Sequence, residues 1–238
     1  MVGIGPGHPL DRTRRAEEAI RRSDVVAGYR TYVDLVADLT DGKRIVATAM
    51  TQEIARVQAA LDCALDGAVV SLISSGDAGV YGMAGLAIEQ AAAMNADVPI
   101  EIVAGVSASN AAAAKLGAPL MLDFASISLS DLLVDWSQIV ARLEAAAAAD
   151  FAVALYNPRS HKRVRQLEEA AAIFRRHRRP ETPVGIATAI SLPEERIVVT
   201  DLAHFMQEDI GMRTTVLIGN SSTRVVAGRM VTPRGYRL

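Results

Sequence analysis

Short apolar runs alternate with longer amphipathic stretches through the first half of the chain. Runs such as Val25–Tyr29 and Val69–Ile73 are typical of buried strands. From Thr51, which we interpret as an N-cap, to Gly67, the apolar residues instead recur at helical spacing. Strands that alternate with helices are joined by right-handed crossovers, so the pattern predicts a parallel sheet, to which Ile100–Val103 adds a further short strand.

The second half of the chain continues the alternation but adds an antiparallel feature. The runs Pro183–Ile190 and Arg196–Thr200 are joined by a short polar turn, which predicts an antiparallel pair of strands. The composition changes near Gly117, after an alanine-rich helix. We therefore predict an α/β protein with two lobes, a parallel-sheet lobe over 1–117 and a mixed-sheet lobe over 118–238.

One glycine-rich segment, Ser74–Gly85, follows the predicted strand Val69–Ile73 and passes into a helix. In an open parallel sheet, this position at the carboxyl end of a strand is where ligands bind. Glycines at positions 76, 79, 82 and 85 allow the backbone to approach a ligand closely, and Asp77 supplies the one charge. Because a carboxylate would repel a phosphate, the segment favours a cationic or hydroxyl-rich ligand.

Two further groups of small and polar residues come directly after predicted strands. In the first group, Ala104–Asn110, we interpret Ser107 as the N-cap of the alanine-rich helix. The second group, Tyr156–Ser160, ends at Ser160, the predicted N-cap of a helix that runs to about Arg176. Both groups are expected at the carboxyl edge of a sheet.

Hydroxyl side chains line one face of an extended segment that ends at Asp131. Ser126, Ser128 and Ser130 alternate there with apolar residues. Two interpretations stay open, a solvated strand edge and a polar wall of a substrate cleft.

The N-terminal segment GIGPG, Gly3–Gly7, also permits two interpretations. A dinucleotide-binding fingerprint needs a third glycine where His8 stands, and Pro6 removes a backbone donor from the loop. A plain tight turn has neither requirement. A nicotinamide cofactor is therefore kept only as an alternative.

Composition and charge argue against several classes of function. The chain of 238 residues has a formal net charge of -2, which gives no general attraction to nucleic acid or to an anionic membrane. No run reaches the roughly 18 apolar residues of a membrane span, and no signal pattern is present, so we expect a cytoplasmic protein. A single cysteine, Cys63, excludes a disulfide within the chain and leaves a metal site without a second thiolate.

Candidates for acid–base catalysis are scarce. The four histidines lie scattered in polar contexts, and we interpret each as a surface residue: His8, His161, His177 and His204. Small-residue loops without such groups suit a reaction in which binding and alignment provide the catalysis. Transfer of a methyl group from a sulfonium is such a reaction, because the leaving group is already activated.

Three motifs resemble the tetrapyrrole methylases that use S-adenosylmethionine: GIGPG at Gly3–Gly7, GDAGVYGMAG at Gly76–Gly85 and GVSASNAAAAKLGAPL at Gly105–Leu120. Three more, DFASISLSDLL, LYNPRS and TPRGY, resemble one branch of that family. That branch methylates ring carbon 17 of a corrin precursor, with ring contraction, in cobalamin biosynthesis. The resemblance runs collinearly over nearly the whole chain. It implies two α/β lobes with the cofactor in the cleft between them, usually in a homodimer.

The resemblance also implies site residues by motif position. Contacts to S-adenosylmethionine, or to its product S-adenosylhomocysteine, would fall on Pro6, Ser75, Gly76, Asp77, Val80, Ser107, Ala108, Asn157 and Ala189. The substrate, a carboxylate-rich macrocycle, would face Asp123, Ser128, Ser130, Asp131 and Arg159. No catalytic residue and no metal ligand is implied. A hydroxyl or carboxylate of the substrate-facing group is a hypothesis for assistance in ring contraction.

The expected substrate is precorrin-3B or its cobalt form, and the residues do not decide between them. Methylation of a different ring carbon by the same family is one alternative. A nicotinamide-dependent oxidoreductase is a second, and a catalytically silent scaffold is a third, although the retained Asp77 and the loop glycines argue against the scaffold.

Overall fold

The computed structural model describes residues 1–49, 51–160 and 163–236, so the expectation for His161 lies outside the described residues. The chain divides into two compact units, Met1–Ala108 and Ser109–Leu238. The sequence placed the boundary at Gly117, after the alanine-rich helix. In the structure nearly all of that helix belongs to the second unit. The reason is that Leu116 of the helix packs into the space that Gly185 leaves by having no side chain.

The first unit is built on a four-stranded parallel sheet, as the sequence predicted. Its strands lie in the order β1-β4-β2-β3. The strands are β1 Val2–Gly3, β2 Val25–Tyr29, β3 Arg44–Thr48 and β4 Val70–Ser74. The helices are α1 Arg14–Arg22, α2 Arg30–Asp34, α3 Glu53–Leu65 and α4 Ala84–Ala93.

Both faces of this sheet are buried. Val26 and Ile73 belong to one apolar core, whereas their chain neighbours Ala27 and Leu72 belong to another. Successive side chains of a strand point to opposite faces, so each core covers one side of the sheet. The apolar runs that marked β2 and β4 are therefore continuous rather than alternating.

Two predictions for the first unit are wrong. Ile100–Val103 is not a strand, because β1 is so short that only Val103 pairs with it, through a bridge to Val2. Thr51 is not the N-cap of α3, since its φ of 64° lies in the left-handed region and Gln52 takes the N-cap position. An N-cap residue usually has an extended backbone.

The second unit contains a mixed five-stranded sheet, which confirms the predicted fold class. Its helices are α5 Ala108–Leu116, which begins at the last residue of the first unit, α6 Trp136–Ala148 and α7 Arg165–His177. Its strands are β5 Gly117–Ala118, β6 Phe124–Ser128, β7 Ala152–Tyr156, β8 Pro183–Thr188, β9 Arg196–Asp201, β10 Thr214–Ile218, β11 Arg224–Val226 and β12 Arg229–Val231. The sheet order is β6-β7-β10-β8-β9, in which only β6 and β7 pair in parallel.

One large apolar core supports this sheet. Leu143 of α6 and Phe174 of α7 are fully buried there against Leu155 and Ile186 of the central strands. The predicted antiparallel pairing of β8 with β9 is confirmed.

One expectation for the second unit fails, and one feature was not predicted. Ser160 is not the N-cap of α7, which begins at Arg165, because Ser160 instead closes a turn by accepting the Arg163 N–H on its Oγ. Strands β11 and β12, which the sequence analysis did not predict, join β5 in a small separate sheet.

Candidate functional site

Glycine-lined loops meet at the carboxyl edge of the first sheet. Gly5 and Gly76 exchange backbone hydrogen bonds of 3.0 and 2.8 Å, and both have positive φ angles. A Cβ atom at Gly105 would lie only 2.1 Å from the carbonyl oxygen of Gly76 and 2.6 Å from the carbonyl carbon of Gly3. The absence of side chains at these glycines therefore lets three loops pack against one another, namely those that contain Gly5, Gly76 and Gly105.

The Asp77 carboxylate ties two of these loops to each other. Its Oδ1 accepts the N–H of Gly79 at 2.8 Å, and its Oδ2 accepts the N–H of Gly105 at 2.9 Å. Asp77 is half-buried. A carboxylate has about four acceptor positions, so each oxygen keeps one position for a further donor.

Tyr32 interacts with Ser75, the first residue of the loop that follows β4. Burial raises the pKa of Tyr32, and a side-chain hydrogen bond with Ser75 acts in the opposite direction. The Tyr32 ring also makes an edge-to-face contact with Tyr29 at a centroid distance of 5.2 Å.

The remaining predicted cofactor residues of the first unit fall on these same loops. A Cβ at Gly76 would lie 3.7 Å from the nitrogen of Ala108 and 3.8 Å from the Cα of Ser107, so these residues are neighbours. Pro6 follows Gly5 directly and is half-buried, whereas Val80 lies in an exposed turn. The structure thus brings all the predicted cofactor residues of this unit to one edge of the sheet.

In the second unit, Ser128 and Asn157 meet at the ends of two neighbouring parallel strands. Nδ2 of Asn157 donates to Oγ of Ser128 at 3.0 Å, and the Ser130 N–H donates to the same oxygen at 3.2 Å. Nη2 of Arg163 donates to the carbonyl oxygen of Asn157 at 2.8 Å. Asn157 has a φ of 50°, in the left-handed region.

The serine face predicted for this segment is present. Ile127 and Leu129 are buried, while Ser126, Ser128 and Ser130 are half-buried on the alternate positions. Because β6 is an edge strand of the sheet, both interpretations of this face, a solvated strand edge and a wall of a substrate cleft, stay open.

Asp131 and Arg159 continue this polar region, but Asp123 does not. Oδ2 of Asp131 accepts from Nε2 of the buried Gln166 at 2.7 Å, and Nη2 of Arg159 lies 4.0 Å from Oε1 of Glu168. Asp123 precedes β6, roughly 16 Å along the strand from Ser128 at about 3.3 Å per residue. The structure therefore separates Asp123 from the rest of the predicted substrate residues.

Ala189 lies at the same edge of the second sheet as Asn157. Strands β7 and β8 both pair antiparallel with β10, so their carboxyl ends point the same way. Ala189 is 3% exposed with a φ of 48°, and its N–H donates to the carbonyl of Arg213 at 2.9 Å. Strand β10 lies between β7 and β8, so Ala189 and Asn157 are two strand spacings of about 4.8 Å apart, or roughly 10 Å.

The turn that follows Ala189 is fixed by a carboxylate. Oε2 of Glu195 accepts the Ser191 N–H at 2.7 Å, and Nζ of Lys115 lies 3.0 Å from its Oε1. The hydrogen bond from Ser191, followed by Lys115, holds the pKa of Glu195 below its ordinary value.

The described histidines make local contacts rather than forming a catalytic group. Nδ1 of His8 accepts the Leu10 N–H at 3.1 Å, His177 lies 3.1 Å from Glu144, and His204 lies 2.7 Å from Asp201. In the described ranges no three His, Cys, Asp or Glu side chains are grouped as metal ligands would be.

Sequence reasoning missed Arg163 and Gln166, which hold Asn157 and Asp131. Both lie just beyond the LYNPRS motif, and a charged or amide residue close behind a site motif is the only signal that the sequence offered for them.

The model of the family described as Tetrapyrrole (Corrin/Porphyrin) Methylases matches residues 1–205 of this chain. The match covers most of the chain, so the chain belongs to this family. It is accordingly an S-adenosylmethionine-dependent methyltransferase, as its motifs indicated.

Two relatives and one solved structure are similar over essentially the whole chain. The cobalt-factor III methyltransferase of Priestia megaterium is 47% identical over 241 residues, which cover 100% of this chain but 45% of that protein. The chain thus spans less than half the length of that relative. The probable cobalt-factor III C(17)-methyltransferase of Salmonella typhimurium strain LT2 is 44% identical, over 100% of this chain and 99% of that protein. The crystal structure of the methyltransferase CobJ matches with a TM-score of 0.91 and 37% identity, over 98% of each chain.

The loops of the first unit fit the cofactor of this family. The spare acceptor positions of Asp77 suit a ligand with a sulfonium charge, an amino group and ribose hydroxyls. The side chains at Gly76, Ser107 and Ala108 are small and uncharged, so none of them opposes a cation. Within the described residues, no helix is both long and apolar enough to cross a membrane.

Proposed function

We propose that this chain methylates ring carbon 17 of precorrin-3B or of its cobalt form, with contraction of the macrocycle, in cobalamin biosynthesis. The observation that carries the proposal is the full-length similarity to the Salmonella relative, whose name gives both the cobalt-factor III substrate and the ring position. The branch motifs of the second unit, including Asn157 and Ser128, support the same conclusion.

Binding and alignment are the chain's contribution to this reaction. S-adenosylmethionine supplies an activated methyl carbon that an enamine-like ring carbon of the substrate can attack. Asp77 holds the loops Gly76–Gly79 and Gly105–Ala108 in register, and its free acceptor positions hold the cofactor. Fixing the cofactor in this way lowers the entropic barrier to in-line transfer.

The second unit is proposed to bind the macrocycle through its polar edge. Ser128, Ser130 and Asp131 follow one strand there, and Arg159 follows the next. Asn157 and Ala189 are proposed to reach the cofactor from the same edge. That the cofactor lies between the two units stays a prediction from the family resemblance.

The decisive experiment combines the purified chain with S-adenosylmethionine and precorrin-3B, with and without bound cobalt. Product mass and carbon NMR would show a methyl group on ring carbon 17 of a contracted macrocycle. Methylation at a different ring carbon would overturn the assignment of position. Calorimetry with S-adenosylhomocysteine and with NAD provides the control, since an oxidoreductase would bind NAD instead.

We further propose that the protein acts as a homodimer in the cytoplasm. The support for the dimer is the family resemblance. Light scattering of the purified chain would give twice the mass of 25.3 kDa, whereas a mass of 25.3 kDa at all concentrations would contradict it. Cell fractionation tests the location.

A further inference from the structure

The hydroxyl group of Ser128 is the centre of a hydrogen-bond network in the second unit. Its oxygen accepts two hydrogen bonds, one from Nδ2 of Asn157 at 3.0 Å and one from the N–H of Ser130 at 3.2 Å. A serine hydroxyl has two acceptor positions and one donor hydrogen. Both acceptor positions of Ser128 are therefore occupied, and the group can interact further only as a donor.

The structure shows no acceptor for this hydrogen among residues 1–49, 51–160 and 163–236. Ser128 is half-buried at the carboxyl end of β6, on the edge where the predicted substrate residues lie. A donor that is partly withdrawn from water and lacks a protein partner is free to bind an acceptor on a ligand.

Two neighbours fix the orientation of this donor. Asn157 adopts a φ of 50°, a left-handed conformation that asparagine tolerates better than most residues. Nη2 of Arg163 donates to the carbonyl oxygen of Asn157 at 2.8 Å, while Nε of Arg163 is buried with no hydrogen-bond partner in the described part of the chain. Buried donors without a partner are rare in folded proteins.

Arg163 brings a positive charge to the Ser128 network through the Asn157 carbonyl, and that cation favours an anionic acceptor for the Ser128 hydrogen. The hydrogen-bond acceptors that the structure gives for the Arg163 side chain, the Asn157 carbonyl and the sulfur of Met212, are both neutral. No carboxylate of the described residues lies within 4.0 Å of the Arg163 guanidinium, and the nearby Asp131 is instead bonded to Gln166. Hydrogen bonds to an ionised acceptor are shorter and stronger than those to a neutral one.

We propose that Ser128 is an obligate hydrogen-bond donor to a carboxylate oxygen of the bound ligand. Asn157 and Arg163 are positioning residues in this proposal, because Asn157 donates to the Ser128 oxygen and so leaves the Ser128 hydrogen for the ligand, while Arg163 holds Asn157. The inference rests on the proposed function, in which both ligands carry carboxylates. The macrocycle carries them on its ring substituents, and the cofactor carries one on its amino-acid end.

The test measures the full chain and four variants, with the Michaelis constants for the macrocycle and the dissociation constant for S-adenosylhomocysteine as readouts. Ser128→Ala removes the donor and is expected to weaken one of these constants by about 10- to 100-fold. A change in the macrocycle constant alone assigns the carboxylate to the substrate, and a change for S-adenosylhomocysteine alone assigns it to the cofactor. Ser221→Ala is the matched control, because Ser221 lies at the opposite edge of the same sheet. We expect its Michaelis and dissociation constants to equal those of the unaltered chain.

Asn157→Asp tests the polarity directly. An ionised carboxylate only accepts, so Ser128 would turn its hydrogen toward residue 157 and the ligand would lose its donor. We expect a loss similar to that of Ser128→Ala, and no further loss when the two changes are combined. A combined loss equal to the product of the single losses would mean plain charge repulsion and would overturn the proposal, as would unaltered constants for either single variant.

Stability is measured on the same samples by thermal unfolding. If Ser128→Ala does not fold, Ser128→Cys takes its place, because a thiol is a weak donor of similar size. An unaltered chain that neither binds S-adenosylhomocysteine nor methylates the macrocycle would overturn the proposed function and this inference together. If the unaltered chain is active and the Ser128 and Asn157 variants have unchanged Michaelis and dissociation constants, this inference alone is overturned.

Discussion

The Asp77 carboxylate joins Gly105 to Gly79, with its two oxygens accepting their backbone N–H groups at 2.9 and 2.8 Å. One side chain therefore spans two loops that lie at the same edge of the first sheet. The residue that the sequence analysis selected for its charge therefore also links two loops of the candidate site.

Replacing Asp77 with Asn should weaken cofactor binding and loosen the first unit. Asn offers one acceptor group and one donor group, so one of the two backbone N–H groups would face another donor. We expect a loss of about 1 to 3 kcal/mol in unfolding free energy and a lower affinity for S-adenosylhomocysteine. Thermal unfolding and calorimetry measure the two effects.

Asp66→Asn is the matched control for that change, because Asp66 is exposed at the end of α3. We expect it to leave both measurements within experimental scatter of the unaltered chain. Equal behaviour of the two variants would show that the Asp77 bonds contribute nothing specific.

Gly105→Ala tests whether the loops pack as closely as the structure shows. The new methyl group would lie 2.1 Å from the Gly76 carbonyl oxygen, and backbone atoms on both sides leave it no space. We expect a destabilisation of about 1 to 3 kcal/mol together with loss of S-adenosylhomocysteine binding. Urea unfolding and calorimetry provide the measurements.

The comparison for this change is Gly85→Ala in the first turn of α4, where a Cβ atom would meet nothing within 4 Å. Alanine there should leave the chain at least as stable as the unaltered one, because glycine is a poor helix former. A Gly105 variant as stable as the Gly85 variant would contradict the loop geometry.

Strands buried on both faces were the easiest elements to predict from the sequence. The bounds of β2 agree with its apolar run, Val25–Tyr29, because such a run is continuous and ends at a polar turn. The hairpin of β11 and β12 was missed, since its first strand is exposed along its length and shows no apolar periodicity. Its pairing with Gly117 depends on contacts far away in the chain.

The candidate site was predictable where residue identity alone carries the information. The glycines and the aspartate that follow β4 are enough, by their type and position in the chain, to indicate a ligand loop. The network of Ser128, Asn157 and Arg163 was not predictable, because it depends on strand register and on the left-handed backbone of Asn157. Neither quantity is encoded in a local pattern.

Tyr32→Phe should weaken the support of the cofactor loop without disturbing the core. The variant keeps the ring and loses the side-chain hydrogen bond with Ser75. We expect a loss of about 0.5 to 1.5 kcal/mol and a reduced affinity for S-adenosylhomocysteine. Tyr29→Phe, which keeps the same ring contact, is the control and should show the smaller change in affinity. Equal changes for the two variants would exclude a special role for the Ser75 contact.

Glu195 should make the stability of the second unit depend on pH. Its pKa lies below the ordinary value of 4.5 in the folded chain, because the ionised carboxylate accepts from Ser191 and faces Lys115. A depressed carboxyl pKa contributes stability above the unfolded value, and this contribution is lost as the pH falls through the folded value. Glu195→Gln should therefore be less stable than the unaltered chain at neutral pH, and the difference should shrink below pH 4.5. Thermal unfolding midpoints from neutral pH to below pH 4.5 measure this difference in stability. The control is Glu194→Gln, a change at the neighbouring exposed carboxylate. A stability difference for Glu195→Gln that stays constant into acid would contradict the assignment.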